Sequence, residues 1–304
     1  MFEGVIGASL EELFCDLRLT MSAHGSIFSR NNSYMYREMR KGFEKGPHME
    51  LIFVHGALVR DGQWWWHRTA DLLRERTGIR SRAVLLPSCG ETTPDEIAGG
   101  LVADAAALRG ELDDVNSAIV VGHSYGGTVI AEAGHHPAVS HLLFVSSYLP
   151  DIGQSQAAIM SGETNPVSIV GGDDGTLTLS GYDSDSFGAR FLQDADDLDC
   201  RQAWGRTTAQ AAGAFLTPTT AAGWQGVDST YIVCAQDRST SVELQLFHAN
   251  RATRSVELPT GHHPFVSRPD LVVEQVQALL QQGRDTRADH TTPPTPTTNN
   301  GGRP

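Results

Sequence analysis

One serine in this chain stands where proteins place a nucleophile. Ser124 lies in Gly122-His-Ser-Tyr-Gly126, directly after the β-branched run Ile119–Val121 and directly before a helical pattern. This arrangement is typical of a nucleophile elbow, a sharp strand-to-helix turn that lifts a strained serine above the edge of a sheet. Small residues two positions before and after the serine avoid collisions, and the first amides of the helix point toward its hydroxyl. The alternative is a glycine-rich turn with an ordinary exposed serine.

A serine hydroxyl attacks efficiently only when a base takes its proton, and two downstream residues could complete that machinery. Asp237 follows the predicted strand Thr230–Ala235, and His262 follows the next predicted strand, Ser255–Leu258. Both residues should therefore emerge at the same sheet edge as Ser124, in the order serine, acid, histidine. We predict a catalytic triad in which His262 is the base and Asp237 holds its tautomer and stabilises the imidazolium.

Two alternatives to this assignment stay open. His263 could be the base, although it precedes a proline that favours an extended backbone, whereas His262 follows a glycine that lets it turn inward. Asp151, which follows an earlier strand, is the rival acid. Asp237 could instead pair with the arginine beside it or cap the next helix.

Acyl transfer also needs two preorganised N–H groups to stabilise the oxyanion. One should be the backbone N–H of Tyr125, the residue after the nucleophile. The other should be the N–H of Ala57, because His55-Gly56-Ala57 follows the first strand and the glycine lets the backbone approach the site.

Short apolar runs alternate with helical stretches, which predicts an α/β fold with a parallel sheet. The predicted strands are Leu51–His55, Arg82–Leu86, Ala118–Gly122, Leu142–Ser146, Thr230–Ala235 and Ser255–Leu258. The predicted helices are Trp65–Arg76, Pro94–Asp113, Tyr125–Ala133, Val242–Ala249 and Pro269–Gln282. The alternation breaks at about 150–228, which indicates a cap insertion with helices near Ser155–Met160 and Ala189–Phe215.

The two ends of the chain differ from this domain, which we place at 49–283. Residues 1–48 contain both lysines of the protein, Lys41 and Lys45, and are predicted to be an N-terminal extension that need not belong to the core. Residues 284–304 lack large apolar side chains and are rich in Thr and Pro, which predicts a disordered tail.

Composition excludes several classes of function. The formal net charge of −13 argues against nucleic acid as a partner, since backbone phosphates require a basic surface. No run is long and apolar enough to cross a membrane, and the four scattered cysteines and the absence of a signal peptide pattern favour the cytoplasm. The acidic run Asp194–Asp199 lacks the pattern of a calcium loop and is expected to be a solvated helix start, so no metal is predicted.

Several segments carry a resemblance to a known family. They are Leu51-Ile-Phe-Val-His-Gly-Ala57, Val121-Gly-His-Ser-Tyr-Gly-Gly127, Tyr148-Leu-Pro-Asp-Ile-Gly-Gln154, Tyr231-Ile-Val-Cys-Ala-Gln-Asp237 and His262-His-Pro-Phe-Val-Ser-Arg-Pro269. Over about residues 49–282 they resemble the small α/β-hydrolases, in particular the methylesterase and hydroxynitrile-lyase group with its bacterial esterase relatives. The resemblance implies an α/β-hydrolase fold: a mostly parallel sheet flanked by helices, with a helical cap over an apolar pocket.

The same resemblance implies carboxylic ester hydrolysis by a Ser–His–Asp triad, without a cofactor. The lyases of this group use a lysine in the pocket and a threonine beside the first strand. This chain has no lysine after Lys45 and has Gly56-Ala57 at the other position, which speaks against lyase activity. We therefore expect a serine esterase acting on a small, largely apolar ester, lactone or thioester. A non-hydrolytic enzyme of the same fold and a ligand-binding protein with a vestigial triad are the alternatives.

Overall fold

The computed structural model describes residues 49–92, 97 and 99–291, with side chains as far as Gln282. The predicted extension at 1–48 and residues 292–304 of the predicted tail lie outside the described residues.

The described residues form strands and helices in the predicted alternation. The strands are β1 (Met49–Val54), β2 (Ser81–Ala83), β3 (Ser117–His123), β4 (Val139–Val145), β5 (Ile169–Gly171), β6 (Thr176–Leu179), β7 (Gln210–Ala211), β8 (Ser229–Cys234) and β9 (Arg254–Leu258). The helices are α1 (Gly62–Thr77), α2 (Gly100–Asp113), α3 (Gly126–Ala133), α4 (Gln156–Met160), α5 (Ser184–Phe191), α6 (Asp197–Trp204), α7 (Gly213–Leu216), α8 (Val242–Ala249), α9 (Pro264–Ser267) and α10 (Pro269–Thr291), with a short 3-10 turn at Pro87–Cys89.

Six of these strands form one parallel sheet in the order β2-β1-β3-β4-β8-β9. They correspond to the six predicted strands, so the predicted α/β architecture is confirmed. The carboxyl ends of β3, β8 and β9 lie at one edge, because parallel neighbours run in the same direction. The loops that carry Ser124, Asp237 and His262 therefore leave the sheet on the same side.

Alternate residues of the central strands pack against opposite helical layers. Ile52 and Val54 belong to the apolar cluster that includes residues of α2 and α3, whereas Leu51 and Phe53 belong to the cluster that includes residues of α1 and α10. Both sets are buried, as expected for a parallel sheet covered on both faces. This double burial holds the strand ends, and hence the loops above them, in a rigid frame.

The three consecutive tryptophans at the start of α1 have different surroundings. Trp66 stacks between Phe53 and Phe265, with ring centroids 4.5 and 3.8 Å away. Trp65 is also buried and stacks on a histidine at 4.8 Å, and Trp64 is half-buried beneath an arginine of the cap. Side chains at consecutive helical positions point about 100° apart, so two tryptophans enter the core and one meets the cap.

The cap between β4 and β8 contains α4 to α7 and a three-stranded antiparallel sheet of order β5-β6-β7. The helical part is as predicted near Ser155–Met160. The second predicted stretch, Ala189–Phe215, is divided, because Asp196 caps a new helix and Gly205 follows its end. The sequence did not predict the small sheet, since its strands are only two to four residues long and most of their residues are at least partly exposed.

The last helix extends further than predicted. The tail was expected to begin at residue 284, but α10 continues to Thr291, so residues 284–291 are helical and this part of the prediction is wrong. The stretch contains no glycine or proline, and the first proline after it is Pro293. A stretch without helix breakers can extend a packed helix even where it carries no apolar anchor.

None of the described helices combines the length and the hydropathy that a membrane crossing requires.

Candidate active site

Ser124 occupies a strained turn between β3 and α3. Its φ is +50°, in the left-handed region that side chains rarely adopt, and its side chain borders a cavity under the cap. A Cβ at Gly126 would lie 2.4 Å from the carbonyl oxygen of Val54, and one at Gly122 would lie 2.6 Å from Ile130. Glycine at both positions is therefore a steric requirement of this turn, as the sequence pattern predicted.

His262 and Asp237 are joined by a short buried hydrogen bond. Nδ1 of His262 lies 2.7 Å from Oδ2 of Asp237, and their side chains are 4% and 0% exposed. Because an ionised carboxylate only accepts, Nδ1 carries the proton and Nε2 is left to act as a base. His262 and Ser124 line the same cavity. Among the described residues no hydrogen bond joins their side chains directly, and such contacts often tighten only when substrate binds.

The carboxylate of Asp237 is held by donors on all sides. Oδ1 accepts from the backbone N–H groups of Ser239 and Thr240 at 2.7 and 3.0 Å. Oδ2 also accepts from the Ser146 hydroxyl at 2.5 Å and from Gln245 at 3.1 Å. Burial alone would raise the pKa of Asp237, but the His262 charge and these hydrogen bonds hold it below its usual value. Asp237 is therefore ionised and fixed in orientation when His262 becomes charged.

Ser146 is a member of the site that the sequence analysis missed. It follows β4, is fully buried, and has a φ of +41°. Its hydroxyl bridges Asp237 and His262, lying 3.2 Å from Nδ1 of the histidine. A serine after a strand is too common a pattern to single out, and only the sheet order places it beside the acid.

The alternative acid and the alternative base each have other partners in the structure. Asp151 forms an ion pair with Arg251 and accepts from Gln225, and it makes no contact with His262 among the described hydrogen bonds. His263 donates from Nδ1 to the carbonyl oxygen of Phe191 at 2.9 Å. Burial and the neighbouring His262 lower the pKa of His263 to about 3, so it stays neutral and is a poor base.

Two cap residues hold the loops that carry the acid and the base. Nε2 of Gln193 donates to the carbonyl oxygen of Gln236 at 2.6 Å, next to Asp237. Oδ2 of Asp194 accepts from the N–H of Gly261 at 2.8 Å, next to His262. A Cβ at Gly261 would lie 2.6 Å from Asp194 Oδ1, so the close approach requires glycine. We call Gln193 and Asp194 the cap clamp.

This contact corrects part of the expectation for the acidic run 194–199. Asp196 does cap the start of α6, as predicted. Asp194 belongs to the cap clamp, however, and Asp199 is only 4% exposed and pairs with Arg68 at 2.7 Å. These two carboxylates are not solvated, because the cap folds back onto the core, which composition alone does not reveal.

Of the two expected oxyanion donors, Ala57 lines the cavity, and Tyr125 directly follows Ser124, which lines it as well. Among the described backbone hydrogen bonds, the N–H groups of Ala57 and Tyr125 have no protein acceptor. The Tyr125 side chain is anchored, since its hydroxyl donates to Asp104 at 2.7 Å. The Ser88 hydroxyl donates to the same carboxylate and accepts from the amide nitrogen of Gln210. The amide oxygen of Gln210 accepts from the N–H of Leu58, the residue after Ala57. A buried network that the sequence did not predict thus ties both donor segments together.

The cavity is apolar and lies between core and cap. About 550 Å³ of space lies between its lining atoms when the opening to solvent is counted. Cap residues supply most of its apolar side chains, among them Met160, Val167, Ile169, Phe187, Phe191 and Phe215. Its polar side chains include Tyr148, Gln156 and Ser239, and the described lining contains no Asp, Glu, Lys or Arg.

A group of three histidines in the described part of the chain could offer metal ligands. These are His123, His262 and His263, with one ligand atom of each lying within 4.8 Å of the others. Each ring already donates from one nitrogen. His123 donates to the carbonyl oxygen of His262, His262 donates to Asp237, and His263 donates to the carbonyl oxygen of Phe191. One nitrogen per ring is left, and at His262 that is the nitrogen a triad needs as its base.

Comparison with known proteins gives a consistent result. The model of the alpha/beta hydrolase family matches residues 51–275. The alpha/beta hydrolase nvfD of Aspergillus novofumigatus is 26% identical over 245 residues, 75% of this chain and 94% of that protein. Methylesterase 8 of Arabidopsis thaliana is 23% identical, covering 76% of this chain and 89% of that protein. The structure of a pyrethroid hydrolase from Sphingobium faniae JZ-2 superposes with a TM-score of 0.65 at 22% identity, covering 76% and 96% of the two chains.

The buried neutral state of His263 predicts a loss of stability in acid. Its pKa is about 3 in the folded protein against an ordinary 6.5, so below pH 6.5 only the unfolded chain takes up the proton. When the pH is lowered from about 7.5 to 5, this residue should therefore lower the free energy of unfolding by about 2 kcal/mol. The His263→Asn variant keeps a donor for Phe191 O but has no group to protonate. Its free energy of unfolding, measured with urea at both pH values, should fall by about 2 kcal/mol less than that of the wild type.

The matched control is His135→Asn, which removes an exposed histidine. The same acid loss in His263→Asn as in the wild type would show that His263 is not held neutral.

Proposed function

The chain belongs to the alpha/beta hydrolase family, and from this premise we propose that it is a carboxylic ester hydrolase with Ser124, His262 and Asp237 as its triad. The observation that carries the proposal is the buried 2.7 Å bond between His262 and Asp237, in a cavity that Ser124 also lines. A turn serine with no catalytic role would need neither an imidazole in the same cavity nor an acid that orients that imidazole. The similar proteins named as a methylesterase and a pyrethroid hydrolase support the proposal that this protein is a hydrolase.

In the proposed reaction, Ser124 Oγ attacks the carbonyl carbon of the ester while Nε2 of His262 takes its proton. The tetrahedral oxyanion lies between the N–H groups of Ala57 and Tyr125. His262, now an imidazolium stabilised by Asp237, gives the proton to the leaving alcohol. Water then attacks the acyl-enzyme with His262 as base and releases the acid. Serine, histidine and water supply every step, so the reaction as proposed uses no cofactor.

The cavity wall supports a small, uncharged and largely apolar substrate. A ligand carboxylate or ammonium would lose its hydration among the aliphatic and aromatic side chains without gaining a charged partner in the described lining. Tyr148, Gln156 and Ser239 offer a few polar contacts that could orient a carbonyl or ether oxygen. Esters, lactones and thioesters of apolar acids or alcohols meet these conditions, and no macromolecular partner is needed.

An active-site probe tests the nucleophile. A fluorophosphonate should phosphonylate Ser124 because its hydroxyl lies at an activated elbow, and the Ser124→Ala variant should not be labelled. Peptide mass spectrometry locates the adduct. The Ser186→Ala variant, which removes an exposed helix-capping serine, is the control and should label like the wild type. Folded wild-type protein that resists the probe would refute the proposed nucleophile.

Two aspartate variants test the acid. In Asp237→Asn the amide cannot stabilise a charged His262, so kcat on a p-nitrophenyl ester should fall by about 10³-fold or more. In Asp151→Asn, which disrupts only the pair with Arg251 and the contact with Gln225, kcat should stay within about threefold of the wild type, as for a change away from the chemistry. Equal losses in the two variants would mean that Asp237 has no special role.

A further inference from the structure

His55, the residue before the oxyanion loop, makes two hydrogen bonds with its ring. Nδ1 lies 2.8 Å from the carbonyl oxygen of Gly56, and Nε2 lies 2.7 Å from Oε2 of Glu91. A carbonyl oxygen and an ionised carboxylate can only accept, so both ring nitrogens must donate. His55 is therefore an imidazolium buried to 1% exposure, a costly state that the protein maintains at this one place.

Glu91 is organised to keep that charge. Besides His55, its carboxylate accepts from the backbone N–H groups of Asp61, Gly62 and Leu86 at 2.7, 3.2 and 2.7 Å. Burial would raise the pKa of Glu91, but the His55 charge and these bonds lower it to about 2. Burial would likewise lower the pKa of His55, and the Glu91 charge and hydrogen bonds raise it above 6.5.

The bond from His55 to Gly56 O controls the direction of another group. The Gly56 carbonyl and the Ala57 N–H belong to one planar trans peptide and point in opposite directions. Holding the carbonyl on His55 therefore turns the Ala57 N–H the other way. The same peptide is pressed against the elbow, since a Cβ at Gly56 would lie 3.3 Å from Ser124 Cβ and 3.0 Å from His123 Nδ1.

We propose that His55 is a positioning residue that aims the Ala57 N–H at the oxyanion, and that Glu91 holds the His55 ring for this purpose. The inference rests on the proposed function. If His55 loses one proton, the Glu91 carboxylate retains the remaining one on Nε2, and the lone pair on Nδ1 then faces Gly56 O. The repulsion between these two acceptors releases the peptide, and the oxyanion loses a preorganised donor.

This arrangement gives the enzyme an alkaline limit of its own. In the part of the chain that the structure describes, the titratable groups that act on His55 are Glu91, Asp104 on α2 and His123 at the end of β3. Burial and the nearby histidines hold the pKa of His123 well below its usual value, so that ring stays neutral. Burial raises the pKa of Asp104, a carboxylate bonded to Ser88 and Tyr125. His55 is then the member of this group that loses its charge as pH rises through its raised pKa, and kcat declines when it does.

Two variants of His55 separate its two bonds. Asparagine places an amide N–H near the position of Nδ1 and can still donate to Gly56 O, whereas glutamine reaches toward Glu91 and leaves Gly56 O without its donor. Removal of one oxyanion donor costs about 10²–10³ in kcat, so we expect His55→Gln to lose about tenfold or more with KM nearly unchanged. His55→Asn should keep most of kcat and lose the alkaline decline. If His55 were needed only as a hydrogen-bond partner for Glu91, His55→Gln would keep more of kcat than His55→Asn.

The readouts keep this inference separate from the proposed function. Crystal structures of both variants should show the Gly56 carbonyl rotated in His55→Gln and in place in His55→Asn. Nitrogen NMR of the wild-type histidines, with His55→Asn for assignment, should show both His55 nitrogens protonated at pH 7. A neutral His55, or an unmoved Gly56 carbonyl with wild-type kcat in His55→Gln, would overturn the inference. A wild-type protein that binds no fluorophosphonate and cleaves no ester would instead refute the triad.

Discussion

The hydrogen bond between His262 and Asp237 is the interaction around which the site is organised. It lies out of contact with solvent, where an unpaired carboxylate would be very unfavourable, so the protein supplies Asp237 with donors from three directions. Two come from its own loop, one from α8 through Gln245, and one from Ser146 at the end of β4. Asp237 is thereby ionised and immobile, which is what the proposed triad requires of its acid.

The loops that carry these two residues also couple the cap to the core. Gln193 and Asp194, the cap clamp, hold the residues immediately before the acid and the base, so cap folding and loop geometry depend on each other. The cap also supplies most of the apolar cavity wall. Next to the oxyanion loop, His55 bonds to Gly56 O and to Glu91, and Asp104 anchors the hydroxyl of Tyr125. Each reacting group is thus held by a partner from a different part of the chain.

The sequence predicted those parts that depend on local sterics and on the order of parallel strands. Glycines flanking Ser124 follow from the elbow, and all six strands of the main sheet were recognisable as apolar runs. The positions of Asp237 and His262 followed from strand order. Ser146, Glu91 and the cap clamp could not be predicted, because each is an ordinary polar residue until the fold brings it to its partner. The small cap sheet was missed because its strands are only two to four residues long, and the end of α10 was missed because residues 284–291 carry no large apolar side chain.

The central claim is that Ser124 becomes acylated, and trapping that intermediate tests it most directly. Wild-type protein mixed with an activated apolar ester and quenched in acid within milliseconds should carry one acyl group on the peptide that contains Ser124. The adduct should disappear as product forms, and it should be absent from Ser124→Ala. Turnover of the ester with no acyl group on Ser124 at any time would contradict the account, because it would mean that a reaction of another kind takes place in this cavity.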